Sequence, residues 1–164
     1  MLLAVISDSH DHLYRVEQAL PRLQQAQVVL HCGDICSPFT LKRLAEGLPR
    51  TPIHVVWGNN DGDRRMLAAV VSGHQHVHLH GEFAALEVGG LRIAMTHYPA
   101  IARAVAAGET FDLVCYGHDH IAREAHLGHG WLLNPGELAG VLTGRASFAL
   151  VDTEARSVTW VDLP

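Results

Sequence analysis

The chain has 164 residues, of which 48% are hydrophobic and 18% charged, and its formal net charge is −5. This length and composition are enough to bury a core without disulfides, so we predict one folded domain over residues 1–164 and exclude a disordered chain. The acidic balance and the lack of a basic patch predict no broad nucleic-acid binding and no attraction to a membrane surface.

The cysteines and the first residues bear on the cellular compartment. The chain has only three cysteines, Cys32, Cys36 and Cys115, and an odd number does not predict the disulfide framework of a secreted protein. A reducing, cytoplasmic location is therefore predicted. The first residues lack the basic segment of a signal peptide, and no apolar run is long enough to cross a bilayer.

The first predicted element is a buried strand over residues 2–6, and two polar side chains follow it. Asp8 and His10 are two residues apart, so on an extended chain they leave the same side and can reach one metal ion. The alternative is a turn aspartate beside a solvated histidine. A helix is predicted next, because Leu13, Val16 and Leu20 recur at helical spacing, with Asp11 as its N-cap.

Two further predicted strands end in the same kind of turn. The strand over residues 27–32 is followed by Gly33-Asp34, and the strand over residues 53–57 by Gly58-Asn59-Asn60-Asp61. A helix over residues 39–48 lies between them. Ordinary turn chemistry accounts for either segment taken alone. Cys32 and Cys36 resemble a metal-binding pair, but no second cysteine pair completes a tetrahedral site, so we interpret them as packing residues.

A histidine-rich stretch follows a short helix or loop over residues 66–71. Its four histidines alternate and would share one face of a strand; they are His74, His76, His78 and His80. One interpretation is a separate metal site. The other, which we favour, is an exposed strand face that binds metal only adventitiously, because no glycine turn brackets the stretch and no carboxylate is in register before Glu82.

The second half of the chain contains two more strands that end in histidine. A hairpin over residues 83–96, with Gly89-Gly90 as its turn, leads to His97. After a helix over residues 100–107 that begins near Pro99, the strand over residues 111–116 ends in Gly117-His118-Asp119-His120. The rest is strand-rich, with predicted strands over 121–127, 130–133, 146–152 and 157–161 and a turn at 134–136.

Five predicted strands thus end in oxygen or imidazole donors. In α/β sheets, binding and active sites lie beyond the carboxyl ends of the strands. The donors are Asp8, His10, Asp34, Asn59, His97, His118 and His120. Seven donors are too many for one ion and suit two divalent ions that share a carboxylate. A nitrogen and oxygen set without thiolate favours manganese, iron, zinc, cobalt or nickel over magnesium or calcium.

These motifs, in this order, resemble the calcineurin-like metallophosphoesterase superfamily. The short chain, the Asn-Pro-Gly turn at 134–136 and the strand-rich tail resemble its small YfcE-like phosphodiesterase branch. The resemblance implies an α/β fold, specifically a four-layer αββα sandwich in which helices flank two mixed sheets. It also raises the expectation of a homodimer or homotetramer.

The resemblance further implies a ligand set and a reaction. One ion would be held by Asp8, His10, Asp34 and His120, and the other by Asp34, Asn59, His97 and His118, with Asp34 bridging. Manganese is the favoured ion. The expected reaction is hydrolysis of a phosphoester, either a small molecule or a nucleotide, by in-line attack of a hydroxide held between the ions.

Two positions depart from the family pattern and bear on catalysis. Many members of the superfamily have a histidine that assists the leaving group where this chain has Asn60, so we predict a preference for good leaving groups such as aryl phosphodiesters. Close relatives often continue with Gly-His where this chain has Tyr98-Pro99. Asn60 and Asp61 are the candidate catalytic residues, Asp61 being interpreted as an orienting residue or, equally, as a turn residue.

Two other classes of function compete with the enzyme. A metal-binding scaffold on the same fold, inactive or weakly active, is the main alternative, because the histidine at position 60 is missing. A structural zinc protein is disfavoured, since structural zinc sites are closed and rich in cysteine.

Overall fold

The computed structural model describes residues 1–164, which form eleven strands and four helices. The strands are β1 (Leu2–Ile6), β2 (Val28–His31), β3 (Ile53–Val55), β4 (Val77–Leu79), β5 (Phe83–Val88), β6 (Leu91–Thr96), β7 (Leu113–Cys115), β8 (Arg123–Leu127), β9 (Gly130–Asn134), β10 (Ser147–Asp152) and β11 (Ser157–Asp162). The helices are α1 (Leu13–Leu23), α2 (Pro38–Gly47), α3 (Arg64–Ser72) and α4 (Pro99–Ala107).

The strands form two mixed sheets. In the first, of order β11-β10-β1-β2-β3-β4, strands β1 to β4 are parallel and are connected by α1, α2 and α3. In the second, of order β5-β6-β7-β9-β8, the three central strands are parallel and the two edge strands antiparallel. The predicted fold class is confirmed.

Strand β1 shows how the layers pack, because its side chains alternate between two cores. Leu3 and Val5 lie in the core between the two sheets. Ala4 and Ile6 face the core that α1, α2 and α3 build on the outer side of the first sheet. Helix α4 covers the outer face of the second sheet. None of the helices has the combination of length and apolar character needed to span a membrane.

Two predictions about local structure were wrong. Helix α1 begins after His12 and has no side-chain cap, because the Asp11 carboxylate instead accepts hydrogen bonds from the hydroxyls of Ser37 and Thr40 at the start of α2. Strand β4 covers only Val77–Leu79, so the four alternating histidines do not share one strand face. His74 and His76 precede β4 in the chain, and His76 Nε2 lies 3.1 Å from the carbonyl oxygen of Ala45.

Candidate metal centre

The predicted donors meet where the carboxyl ends of strands from both sheets come together. The segment after β1 is joined to the segment after β2 by backbone bonds from the N–H of Asp8 to the carbonyl of Gly33 and from the N–H of His10 to that of Asp34, both 3.0 Å. The segments after β6 and β7 are joined by the bond from Gly117 N–H to the carbonyl of His97, at 3.1 Å. Parallel strand pairing in each sheet therefore places the five turns at one end of the molecule.

Glycine is required in two of these turns because a neighbouring segment passes where a side chain would be. A Cβ on Gly117 would overlap the Ser7 hydroxyl and lie 2.6 Å from Asp8 Oδ2. A Cβ on Gly58 would overlap Asp34 Oδ1 and lie 2.9 Å from the carboxylate carbon. The glycines thus allow strands of both sheets to approach the two carboxylates.

The donor residues also have an unusual backbone conformation. Five of the seven have positive φ angles in the left-handed region, where residues with a Cβ are uncommon: Asp8 (52°), His10 (41°), Asp34 (57°), His118 (75°) and His120 (60°). Such conformations cost roughly 1–3 kcal/mol each and persist where the surrounding structure imposes them, which is typical of functional sites.

The first group of donor atoms surrounds the buried carboxylate of Asp8. Asp8 Oδ1 lies 3.4 Å from His120 Nε2 and 3.8 Å from His10 Nε2, and His10 Nε2 lies 3.6 Å from Asp34 Oδ2. Asp8 Oδ1 and His10 Nε2 are buried and have no hydrogen-bond partner. These four residues are the ones that the resemblance assigns to one ion.

The second group surrounds the other oxygen of Asp34. Asp34 Oδ1 lies 3.5 Å from His97 Nε2. Asn59 Oδ1 lies 3.0 Å from His97 Nε2 and 2.8 Å from His118 Nδ1. The carboxylate of Asp34, which is 1% exposed, therefore has one oxygen in each group, as a bridging ligand would.

The hydrogen-bond partners of two histidines fix which ring nitrogen faces the centre. His97 Nδ1 lies 2.8 Å from the carbonyl oxygen of Cys32, and His120 Nδ1 lies 2.9 Å from Glu137 Oε2. Because these partners only accept, each Nδ1 bears a hydrogen, and in the neutral form of each ring Nε2 presents its lone pair. Lone pairs of nitrogen and oxygen that face one another in a buried site are the arrangement that a cation stabilises, so the residues present fit divalent ions.

The electrostatics of the centre agree with this fit. Burial raises the pKa of the Asp8 carboxyl to about 7. Burial acts in the same direction on Asp34, but hydrogen bonds from the backbone and side chain of Asn60 and the nearby imidazoles outweigh it, so the pKa of Asp34 is below its ordinary value. Burial lowers the pKa of His10 and of His97, which favours the neutral form that a metal ligand needs.

Asn60 and Asp61 both contact the segment of Asp34. The backbone and side-chain amides of Asn60 donate to the two Asp34 oxygens, each at 2.8 Å. Asp61 accepts from the backbone N–H groups of Asp34, Cys36 and Gly58 at 3.2, 2.8 and 2.7 Å. Asp61 therefore holds two donor-bearing turns together, and its side chain is buried.

Sequence reasoning missed Glu137, which is fully buried. Besides its contact with His120, its carboxylate accepts from the N–H of Leu142 and from the N–H and hydroxyl of Thr143. These bonds outweigh the effect of burial and lower the pKa of Glu137 to about 2. The available signal was an acidic residue directly after the turn at 134–136, inside an otherwise apolar segment.

With this geometry in place, comparison with known proteins identifies the family. Residues 1–156 match the calcineurin-like phosphoesterase superfamily domain. The chain belongs to this superfamily. The prediction drawn from the sequence motifs is thereby confirmed, and the divalent ions that calcineurin-like phosphoesterases use suit the two donor groups.

Individual members of the superfamily resemble the chain over nearly its whole length. A phosphodiesterase of Methanocaldococcus jannaschii is 30% identical over 160 residues, covering 95% of each chain. The structure of an archaeal phosphodiesterase superposes with a TM-score of 0.91 at 29% identity, covering 99% of this chain and 100% of the other. The E. coli phosphoesterase YfcE shares the fold, with a TM-score of 0.68, 20% identity and full coverage of both chains.

Proposed function

We propose that the protein hydrolyses phosphodiesters with two divalent ions, held by the two donor groups that share Asp34. The observation that carries the proposal is the convergence of nitrogen and oxygen lone pairs on the two oxygens of one buried carboxylate. The similarity to phosphodiesterases over nearly the whole chain supports a diester rather than a monoester as substrate. Manganese is the ion we propose, in agreement with the mixed donor set.

Bound at this centre, two divalent ions would supply a Lewis acid for the phosphoryl oxygens and a nucleophile near neutral pH. The residues of the chain perform the remaining tasks. Glu137 and the carbonyl of Cys32 hold the rings of His120 and His97 in the tautomer that leaves Nε2 free. Asn60 orients the Asp34 carboxylate between the two groups.

The surroundings of the first donor group bear on the substrate. A cavity of about 230 Å³ beside His10 is lined by Glu137, Val141 and Leu142. The side chains of Val141 and Leu142 are 65% and 74% exposed there. An apolar wall next to an ion site suits an aryl or nucleobase-containing group on one side of the phosphodiester.

Hydrolysis of bis-p-nitrophenyl phosphate by metal-stripped protein, with manganese, nickel, zinc, magnesium or no ion added, tests the proposal. We expect activity that requires a transition-metal ion and is lost in Asp34→Asn, because the amide provides one neutral oxygen where the centre needs an anionic bridge. Glu87→Gln, which neutralises an exposed carboxylate on β5, is the matched control and should keep wild-type activity. Stoichiometric metal binding without hydrolysis under any ion would instead favour the scaffold alternative.

The cellular and assembly predictions are part of the same proposal. A cytoplasmic location is supported by three cysteines that form no disulfide. The single domain over residues 1–164 and the homodimer or homotetramer stay predictions. Limited proteolysis and sedimentation velocity of the metal-loaded protein would test them.

A further inference from the structure

Outside the metal centre, three histidines lie together at the edge of the first sheet. His54 is in β3, His78 is its neighbour in β4, and His80 follows β4. The ring centroids of His54 and His78 are 4.9 Å apart, those of His54 and His80 are 5.1 Å apart, and both pairs are stacked. We call these three residues the edge histidines.

The edge histidines replace apolar residues that the pattern of the sheet would place there. One register row across the four parallel strands contains Val5, Leu30, His54 and His78. Val5 and Leu30 are fully buried in the core between the two sheets. The same face thus changes from aliphatic to imidazole at β3, where the row reaches solvent: His54 is half-buried and His78 exposed.

The contacts of the edge histidines leave ring nitrogens available as ligands. His54 Nδ1 lies 2.9 Å from His80 Nε2, so one hydrogen is shared between two neutral rings. None of the three forms an ion pair with a carboxylate, unlike several histidines elsewhere in the chain. Burial and the two neighbouring rings lower the pKa of His54 to about 4, and burial lowers that of His80. Both shifts favour the neutral form of the rings of His54 and His80.

We infer that His54, His78 and His80 form a separate site for one borderline divalent ion such as Zn²⁺, with water as the fourth ligand. Two imidazole nitrogens on one tetrahedral ion lie roughly 3.3 Å apart at Zn–N distances near 2.0–2.1 Å, close to the separation that His54 and His80 already have. Rotation of the exposed His78 side chain brings in the third nitrogen. The hydrogen between His54 and His80 moves to the outer nitrogen of its ring, so both rings stay neutral.

The donor chemistry of this site differs from that of the dinuclear centre. Three nitrogens without any carboxylate or carbonyl oxygen favour zinc, nickel or copper and discriminate against manganese, which prefers oxygen ligands. The dinuclear centre, with its two carboxylates, accepts both kinds of ion. The two sites can therefore be counted separately by the choice of ion.

The test is the number of tightly bound ions per metal-stripped chain, measured by equilibrium dialysis with elemental analysis. We expect three zinc ions but only two manganese ions in the wild type, and two zinc ions in His54→Gln or His78→Gln. His129→Gln, which removes an exposed histidine in the β8–β9 turn, is the matched control and should still bind three.

A second measurement excludes misfolding as the cause of a lost ion. The metal-free thermal transition of His78→Gln should match that of the wild type, because this side chain is exposed on an edge strand. Equal zinc counts in the wild type and both edge variants would overturn the inference. So would a third zinc ion held no more tightly than about 10⁻⁴ M, which would make the edge histidines an adventitious surface site. Neither result depends on phosphodiester hydrolysis.

Discussion

Glu137 joins a metal-ligand candidate to a surface loop through one buried carboxylate. It accepts a hydrogen bond from His120, and three more donors come from Leu142 and Thr143. A histidine ligand whose other nitrogen donates to a carboxylate is fixed in tautomer and ring orientation. We interpret Glu137 as a positioning residue, both for His120 and for the residues that line the cavity beside His10.

Glu137→Gln should therefore weaken metal binding more than it weakens folding. The glutamine has one accepting oxygen in place of two, so it can accept fewer of the four hydrogen bonds. Its NH₂ group is a donor and cannot accept the hydrogen on His120 Nδ1. We expect a loss of metal affinity of roughly 10- to 100-fold, which is typical for such partners, with much of kcat restored at saturating metal. Competition against a fluorescent chelator measures the affinity. A fall in kcat that saturating metal leaves unchanged would contradict a purely positioning role.

A second prediction concerns Asn60, whose side-chain amide donates to Asp34 and cannot act as an acid. A leaving group then departs without a proton from this position, so aryl esters should react far faster than alkyl esters. Asn60→His should raise kcat/KM for a diester with two alkyl groups, whose leaving group is an alkoxide, relative to a diester with an aryl leaving group by about 10-fold or more, within the usual range for general acid catalysis. Parallel assays with both diesters measure the ratio, and an unchanged ratio would disprove the idea.

Among the structural elements, the turns after the strands could be predicted better than the strands themselves. A strand followed by glycine and a polar donor is visible in the sequence at Gly33, Gly58 and Gly117. The length of β4 was not visible, because alternation of histidines also occurs in a loop that precedes a three-residue strand. The partner of Asp11 is a helix that begins 27 residues later, at Pro38, and local capping rules do not include such a partner.

Gly117→Ala tests whether a turn glycine serves the metal centre. The added Cβ would meet Ser7 and Asp8 on the opposite sheet, and overpacking of this kind typically costs about 1–3 kcal/mol. We expect the displacement of Asp8 to lower metal affinity by at least about 10-fold and to lower the urea midpoint of the metal-free protein modestly.

Gly62→Ala is the control for that variant. Gly62 follows Asp61 in the same loop, and a Cβ there would lie 3.8 Å from the nearest atom outside its own segment, the carbonyl oxygen of Cys36. It should keep wild-type metal affinity and stability. Wild-type affinity in Gly117→Ala would show that the centre tolerates a wider separation of the two sheets than the close approach indicates.

For the whole molecule, the fold class followed from motif order, whereas the strand order did not. The motifs have the order of a known superfamily, and that resemblance implied two mixed sheets. The insertion of β9 between β7 and β8 depends on long-range pairing, in which Cys115 is opposite Leu133. No local pattern distinguishes this arrangement from a simple meander, because an apolar run shows that both faces of a strand are covered but not which strand lies beside it.

One buried histidine should contribute to the pH dependence of the stability of the whole metal-free protein. His31 is fully buried, its Nδ1 accepts from the N–H of Gly33, and its Nε2 contacts the Ser9 hydroxyl. Burial lowers the pKa of His31 to about 4, whereas in the unfolded chain it is near 6.5. The folded state thus disfavours the protonated ring, so this contribution is fully present above pH 6.5 and is lost as pH falls towards 4.

His31 by itself should lower the free energy of unfolding by roughly 3 kcal/mol between pH 6.5 and 4, since each pKa unit corresponds to about 1.4 kcal/mol. The raised pKa of Asp8 acts in the opposite direction over this range, because the folded state then binds a proton that the unfolded state does not. His31→Gln, which keeps a donor for Ser9 but cannot titrate, should be less stable at pH 7.5 and should lose less free energy of unfolding than the wild type as pH falls from 7.5 to 4.5. Urea unfolding at pH 7.5, 5.5 and 4.5 measures both, with His129→Gln as the exposed control that should keep the wild-type slope. If His31→Gln had the same slope as the wild type, His31 would not contribute, and the pH dependence would have to arise from other buried groups, above all Asp8, His10 and His97.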